Sequence, residues 1–224
     1  TQKPTSVGSC TAYTNTAWID LQLATDPTAT AKVKACVGAD LTVTKTATTT
    51  MTRTYTWSIL KSAPNGATYG PTLASTVTVP YRVKVSPAGY VDSAWTVTGT
   101  ITVTNPNDWQ SIQVTGVTDV LGSAADNCTV TWPTGVSTTL APKGQSGSSV
   151  TLNYTCTPKS WTEAVPYGGT NTATATWDKV KASTTNGSAS GTKAFTFTPT
   201  TEINKLITVT DQVTGSATVK TLGT

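Results

Sequence analysis

Apolar residues and threonines alternate with a period of two along most of this chain, which excludes a mainly helical fold. Leu41, Val43 and Lys45 interleave with Thr42, Thr44 and Thr46. Arg53, Tyr55, Trp57 and Ile59 interleave with Thr54, Thr56 and Ser58, and Trp95, Val97, Ile101 and Val103 with Thr96, Thr98, Thr100 and Thr102. Successive side chains of a strand point to opposite faces, so each run has one apolar face and one hydroxyl-bearing face. That is the pattern of sheets packed on one side and wet on the other. Threonine is the natural residue for the wet face, because its branched Cβ suits a pleated surface better than a helix.

The same period predicts further strands over 77–85, 112–121, 150–156, 171–177 and 195–198. Pro64-Asn65-Gly66, Pro87-Ala88-Gly89, Asn105-Pro106-Asn107, Pro142-Lys143-Gly144 and Gly168-Gly169 mark the breaks. Pro80 interrupts one strand and implies an edge or a bulge there. Many short strands with this punctuation predict an all-β sandwich. Three regions follow: a central sandwich at 41–199, and end segments at 1–40 and 200–224. The first end carries the runs Ala17, Ile19, Leu21, Leu23 and Ala31, Val33, Ala35, Val37; the second carries Ile207, Val209, Val213 and Val219. Neither end has enough strands to bury its own apolar face.

Four cysteines fall as two local pairs, and the expected disulfides among the three formal connectivities are Cys10–Cys36 and Cys128–Cys156. With the cysteines paired, no odd thiol left free and no histidine in the chain, zinc-type ligand sets cannot be assembled, so no metal or other cofactor is expected. Disulfides point to an oxidising compartment and an extracellular or cell-surface location. The chain starts at Thr1 without a methionine, which reads as a processed, mature protein. No apolar run approaches the ~20 residues of a membrane span. The net charge of +4 is thinly spread, without the basic stripe that nucleic acid requires.

Catalysis is not expected. Without histidine or a free thiol, neither a Ser-His-Asp nor a Cys-His arrangement can exist. Glu163 and Glu202 are the only glutamates, and isolated aspartates such as Asp119 and Asp126 are more often turn formers than paired acids. One set of residues nevertheless invites chemistry. By strand parity Lys45, Asp119 and Asn171 all point inward, where the amine could attack the asparagine carboxamide while the acid polarises it, giving an isopeptide crosslink. The alternative is that Lys45 snorkels to water from a strand end, Asp119 opens a turn, and Asn171 bonds a neighbouring backbone.

Trp57, Trp95 and Trp177 fall on inward faces and are expected in the core. Trp18, Trp109, Trp132 and Trp161 lie off those stripes, where an aromatic patch could recognise a carbohydrate. Sequons at Asn127, Asn153 and Asn186 are candidate glycosylation sites, in a chain rich enough in Ser and Thr to produce that many by chance.

The central block resembles the threonine-rich, immunoglobulin-like conserved-repeat domains of large prokaryotic surface proteins. The pieces that carry the likeness, across about 39–178, begin with Ala39-Asp40-Leu41-Thr42-Val43-Thr44-Lys45-Thr46, Gly99-Thr100-Ile101-Thr102-Val103-Thr104-Asn105 and Val117-Thr118-Asp119. They continue with Leu140-Ala141-Pro142-Lys143-Gly144, Val150-Thr151-Leu152 and Thr170-Asn171-Thr172-Ala173-Thr174-Ala175-Thr176. The resemblance implies an immunoglobulin-like β-sandwich used as a wall, stalk or fibre module. It also makes 200–224 look like the opening of a following module, and 1–40 like the later part of a preceding one. The expected function is therefore a filament subunit that polymerises with itself, its C-terminal strand adding to the incomplete sheet of the next copy. Ile207, Val209 and Val213 would be buried there, with Lys205 and Lys220 at the rim. The alternative is a stalk or adhesin module that binds carbohydrate or protein through its loops.

Overall fold

The computed structural model describes residues 6–22, 25, 27–63, 79–122, 127–158 and 168–224. Among them are strands and no helix: β1 Cys10–Trp18, β2 Thr28–Cys36, β3 Thr42–Lys45, β4 Thr48–Ser62, β5 Arg82–Thr104, β6 Ile112–Leu121 and β7 Asn127–Thr131. Then follow β8 Thr139–Leu140, β9 Ser149–Thr157, β10 Gly168–Trp177, β11 Ser188–Thr196, β12 Thr201–Ile203, β13 Val209–Gln212 and β14 Val219–Gly223. The all-β expectation from the period of two is met.

The chain divides into two compact units. The first draws on the described residues up to Thr49, from Thr96 to 158, and from 168 to Thr196; the second on those of Thr50–Trp95 and Phe197–Thr224. This grouping differs from the division at 1–40, 41–199 and 200–224. The N-terminal segment belongs with the first unit, and the C-terminal segment with residues of the former middle.

In the first unit β11, β10, β6 and β8 form one layer in that order. In the other layer the Val97–Thr104 part of β5 pairs with β9, β7 lies beyond β9, and β3 takes the opposite side of β5. Alternation decides what is buried between them. Val150, Leu152, Tyr154 and Cys156 point inward from β9, Asn171, Ala173, Ala175 and Trp177 from β10, and Val97, Ile101 and Val103 from β5. The intervening threonines face out, and pairs such as Thr102–Thr151 and Thr174–Ser190 link neighbouring strands through their hydroxyls. Gly191 on β11 is required by close approach: a Cβ there would run into the carbonyl oxygen of Val43. β1 and β2 form a separate two-stranded sheet closed by Cys10–Cys36.

In the second unit β12 runs parallel to β4, pairing Thr201–Ile203 with Thr52–Thr54. Arg53 holds Asp92 in a bidentate pair, Nε to Oδ1 and Nη2 to Oδ2 at 2.8 Å each, and its guanidinium stacks on Tyr90. Among the described residues β13 and β14 pair only with each other. Where breaks at 87–89 and a strand interruption at Pro80 were expected, β5 starts after Pro80 and runs through Pro87-Ala88-Gly89. Positive φ at Gly89 (126°) and Ala94 (54°) takes up the irregularity without ending the strand. The Pro64-Asn65-Gly66 turn and the start of the expected 77–85 strand lie outside the described residues, as do Leu23, Asp126, Trp161 and Glu163.

Candidate functional site

Lys45, Asp119 and Asn171 come together inside the first unit. Lys45 ends β3 in one layer, while Asp119 on β6 and Asn171 on β10 come from the other, two residues apart in pairing register. Parity had set all three inward, and the lysine and aspartate side chains are fully buried, as is Asn171. The Lys45 ammonium pairs with Asp119 Oδ1 and lies 3.6 Å from the centroid of the Tyr154 ring. The Asn171 carboxamide nitrogen lies 3.7 Å from Cys156 Sγ, which in turn touches Asp119, while the carboxamide oxygen has no hydrogen-bond partner.

The surroundings set the electrostatics. Burial pushes Lys45 below the ordinary lysine range, against the opposing pull of Asp119. Burial likewise pushes Asp119 above the carboxylate range, against Lys45 and the Asn171 amide. Tyr154, raised to about 12 by burial and by the Asp119 charge, stays protonated and donates to the Thr46 carbonyl at 2.6 Å. Gly99 leaves room for this, since a Cβ there would collide with Thr46 O and the Tyr154 ring. Cys156 of the Cys128–Cys156 disulfide forms one wall, its Sγ 3.3 Å from Asp119 Oδ2 and 3.7 Å from Asn171 Nδ2. A disulfide sulfur has no proton to donate, so the first is a packing contact. The same bond removes Cys128 and Cys156 as thiolate ligands, although they cluster with Asp119.

Tyr154 was not singled out from the sequence; the Cys128–Cys156 bond was expected, but its place beside Asp119 was not. Their closeness to Asp119 depends on which strands face each other, and alternation does not specify that.

A second feature lies in the second unit: a groove of about 610 Å³ whose lining includes Trp57, Tyr81, Val85, Ile207, Val209 and Leu222. Trp57, expected in the core, instead forms part of this wall, partly exposed, with its indole donating to Asn204 O at 2.8 Å. Trp95 and Trp177 are buried as expected. Ile207 and Val209 are half-buried and Val213 is exposed. Trp18 is exposed, Trp132 donates to Val136 O, and neither they nor Trp109 takes part in the ring pairs Tyr55–Tyr90 and Trp95–Phe197. Of the sequons, Asn153 is exposed on β9, Asn186 binds Asp40 at 2.7 Å, and Asn127 precedes the disulfide-bonded Cys128.

No protein-family model, no curated protein and no solved structure matches this chain.

Proposed function

We propose that this protein is a structural subunit of an extracellular or cell-surface filament, built head to tail by strand addition between copies. The supporting observation is that β1–β2 and β13–β14 are each two-stranded sheets with no third strand among the described residues. Both expose apolar side chains in or next to the hairpin: Trp18, Ile19 and Val33 in the first, Val213, Val219 and Leu222 in the second. A lone hairpin is marginal in water, and its open edges are templates for a further strand. Adding the β13–β14 part of the 200–224 segment of one copy to the β1–β2 sheet of the next supplies both open sheets with partners, and because the two surfaces differ the contact is head to tail and need not close. Period-two alternation would fix the register, since a one-residue slip turns the apolar set outward. Two disulfides fit an oxidising exterior, and among the described residues no helix is long and apolar enough to cross a membrane.

Sedimentation of the full chain against a chain lacking 201–224, and against Ile207→Asp/Val209→Asp, tests this. Concentration-dependent assembly should be lost in both altered forms; undiminished assembly of either one contradicts the tail's role.

A further inference from the structure

A buried lysine–aspartate pair is a costly way to hold a sandwich together. Desolvating two charges usually cancels their attraction, and apolar side chains of similar volume often serve better. Here the pair is joined by a third polar side chain with an unpartnered buried oxygen, which a core built for stability alone would avoid. Lys45 binds the Asp119 carboxylate and Asn171 lies beside it against the same Cys156 Sγ, so amine and carboxamide meet at one buried acid, shut off from water by Tyr154 and Cys156. From this arrangement we infer that Lys45 and Asn171 condense into an intramolecular amide that ties β3 to β10, with Asp119 as the proton-transfer group. This inference stands apart from strand addition, and either can fail without the other.

The chemistry balances without a co-reactant. A proton passes from the Lys45 ammonium to the Asp119 carboxylate, leaving a neutral amine and a neutral acid, the forms that burial favours for both. A half-turn of the Asn171 carboxamide brings its oxygen to the acid proton, which satisfies that oxygen and makes the carbonyl carbon electrophilic. The Nζ lone pair attacks Cγ, and Asp119 stabilises the resulting oxyanion by hydrogen bonding. The proton shed by Nζ reaches Nδ2 through Asp119, the Cγ–Nδ2 bond breaks, and ammonia leaves. A lysine and an asparagine become one secondary amide plus one ammonia, and nothing is oxidised or reduced. The fixed juxtaposition replaces the activation that an amide ordinarily needs.

The test is mass spectrometry of the full chain, purified with its disulfides intact and then reduced and denatured. The expected result is a mass one ammonia below that of the sequence, and a branched peptide joining the Lys45 and Asn171 segments after digestion. Location matters, because a succinimide at Asn186-Gly187 would lose the same mass. Lys45→Ala and Asn171→Ala should restore the full mass. Asp119→Asn, which keeps the shape of the site, should do the same while circular dichroism confirms folded β-structure. A wild-type chain of unchanged mass overturns the inference, as does an ammonia loss without the branched peptide.

Discussion

Asn107 grips the backbone of Ala39 at both ends of its carboxamide, donating from Nδ2 to Ala39 O at 2.9 Å and accepting from Ala39 N at 2.7 Å. Asn107 is fully buried, and Asn105 supports it by accepting from both its backbone N–H and its Nδ2. Replacing Asn107 with alanine leaves part-buried backbone groups of Ala39 unpaired, at a cost of about 1–2 kcal/mol. Urea denaturation should show that loss, with the slope unchanged.

The clash predicted at Gly191 is with backbone, which cannot rotate away. Gly191→Ala should destabilise by about 1–3 kcal/mol, the usual range for overpacking. Gly223→Ala, where a Cβ meets nothing within 4 Å, serves as the matched control and should change the melting temperature little.

The two disulfides close loops of nearly equal length, 26 and 28 residues apart, so their effects through the unfolded chain are alike, about 3 kcal/mol each. Their surroundings differ. Cys156 is fully buried against Asp119 and Asn171, whereas Cys10 and Cys36 close a two-stranded sheet and are partly exposed. Cys128→Ser/Cys156→Ser should therefore lower stability more than Cys10→Ser/Cys36→Ser, as read from parallel denaturation curves.

Acid should loosen the C-terminal segment. The Lys205 ammonium, then the Tyr55 hydroxyl, hold Glu202 below the ordinary glutamate range, and Lys61 holds Asp211 below the aspartate range. Because both carboxyls titrate lower when folded, their contribution is fully present above the unfolded values near pH 4 and is lost as pH falls through the folded ones. The groups are exposed, so the effect is local and salt-sensitive. Amide-exchange protection of β12 and β13 should drop between about pH 7 and about pH 3; unchanged protection would contradict these ion pairs.

Alternation carried most of the fold. It located β6, β9 and β10 and set Lys45, Asp119 and Asn171 on inward faces, while nearness in the chain paired the cysteines that bond. It misjudged Trp57, because parity gives a face but not whether another layer covers it. The continuity of β5 was hidden for a related reason: Pro87 and Gly89 are turn formers in isolation, and here strand pairing overrides that preference. Asn105 and Asn107 read as punctuation, although their side chains brace residues far away in sequence, Asn105 donating to Ala141 O at 3.0 Å and Asn107 gripping Ala39. Such contacts depend on long-range pairing, which local period does not encode.

Strand addition between copies is tested most directly by electron microscopy of the concentrated full-length protein beside the chain lacking 201–224. The account predicts filaments of serially joined subunits in the first and isolated particles in the second. Isolated particles in both would contradict it.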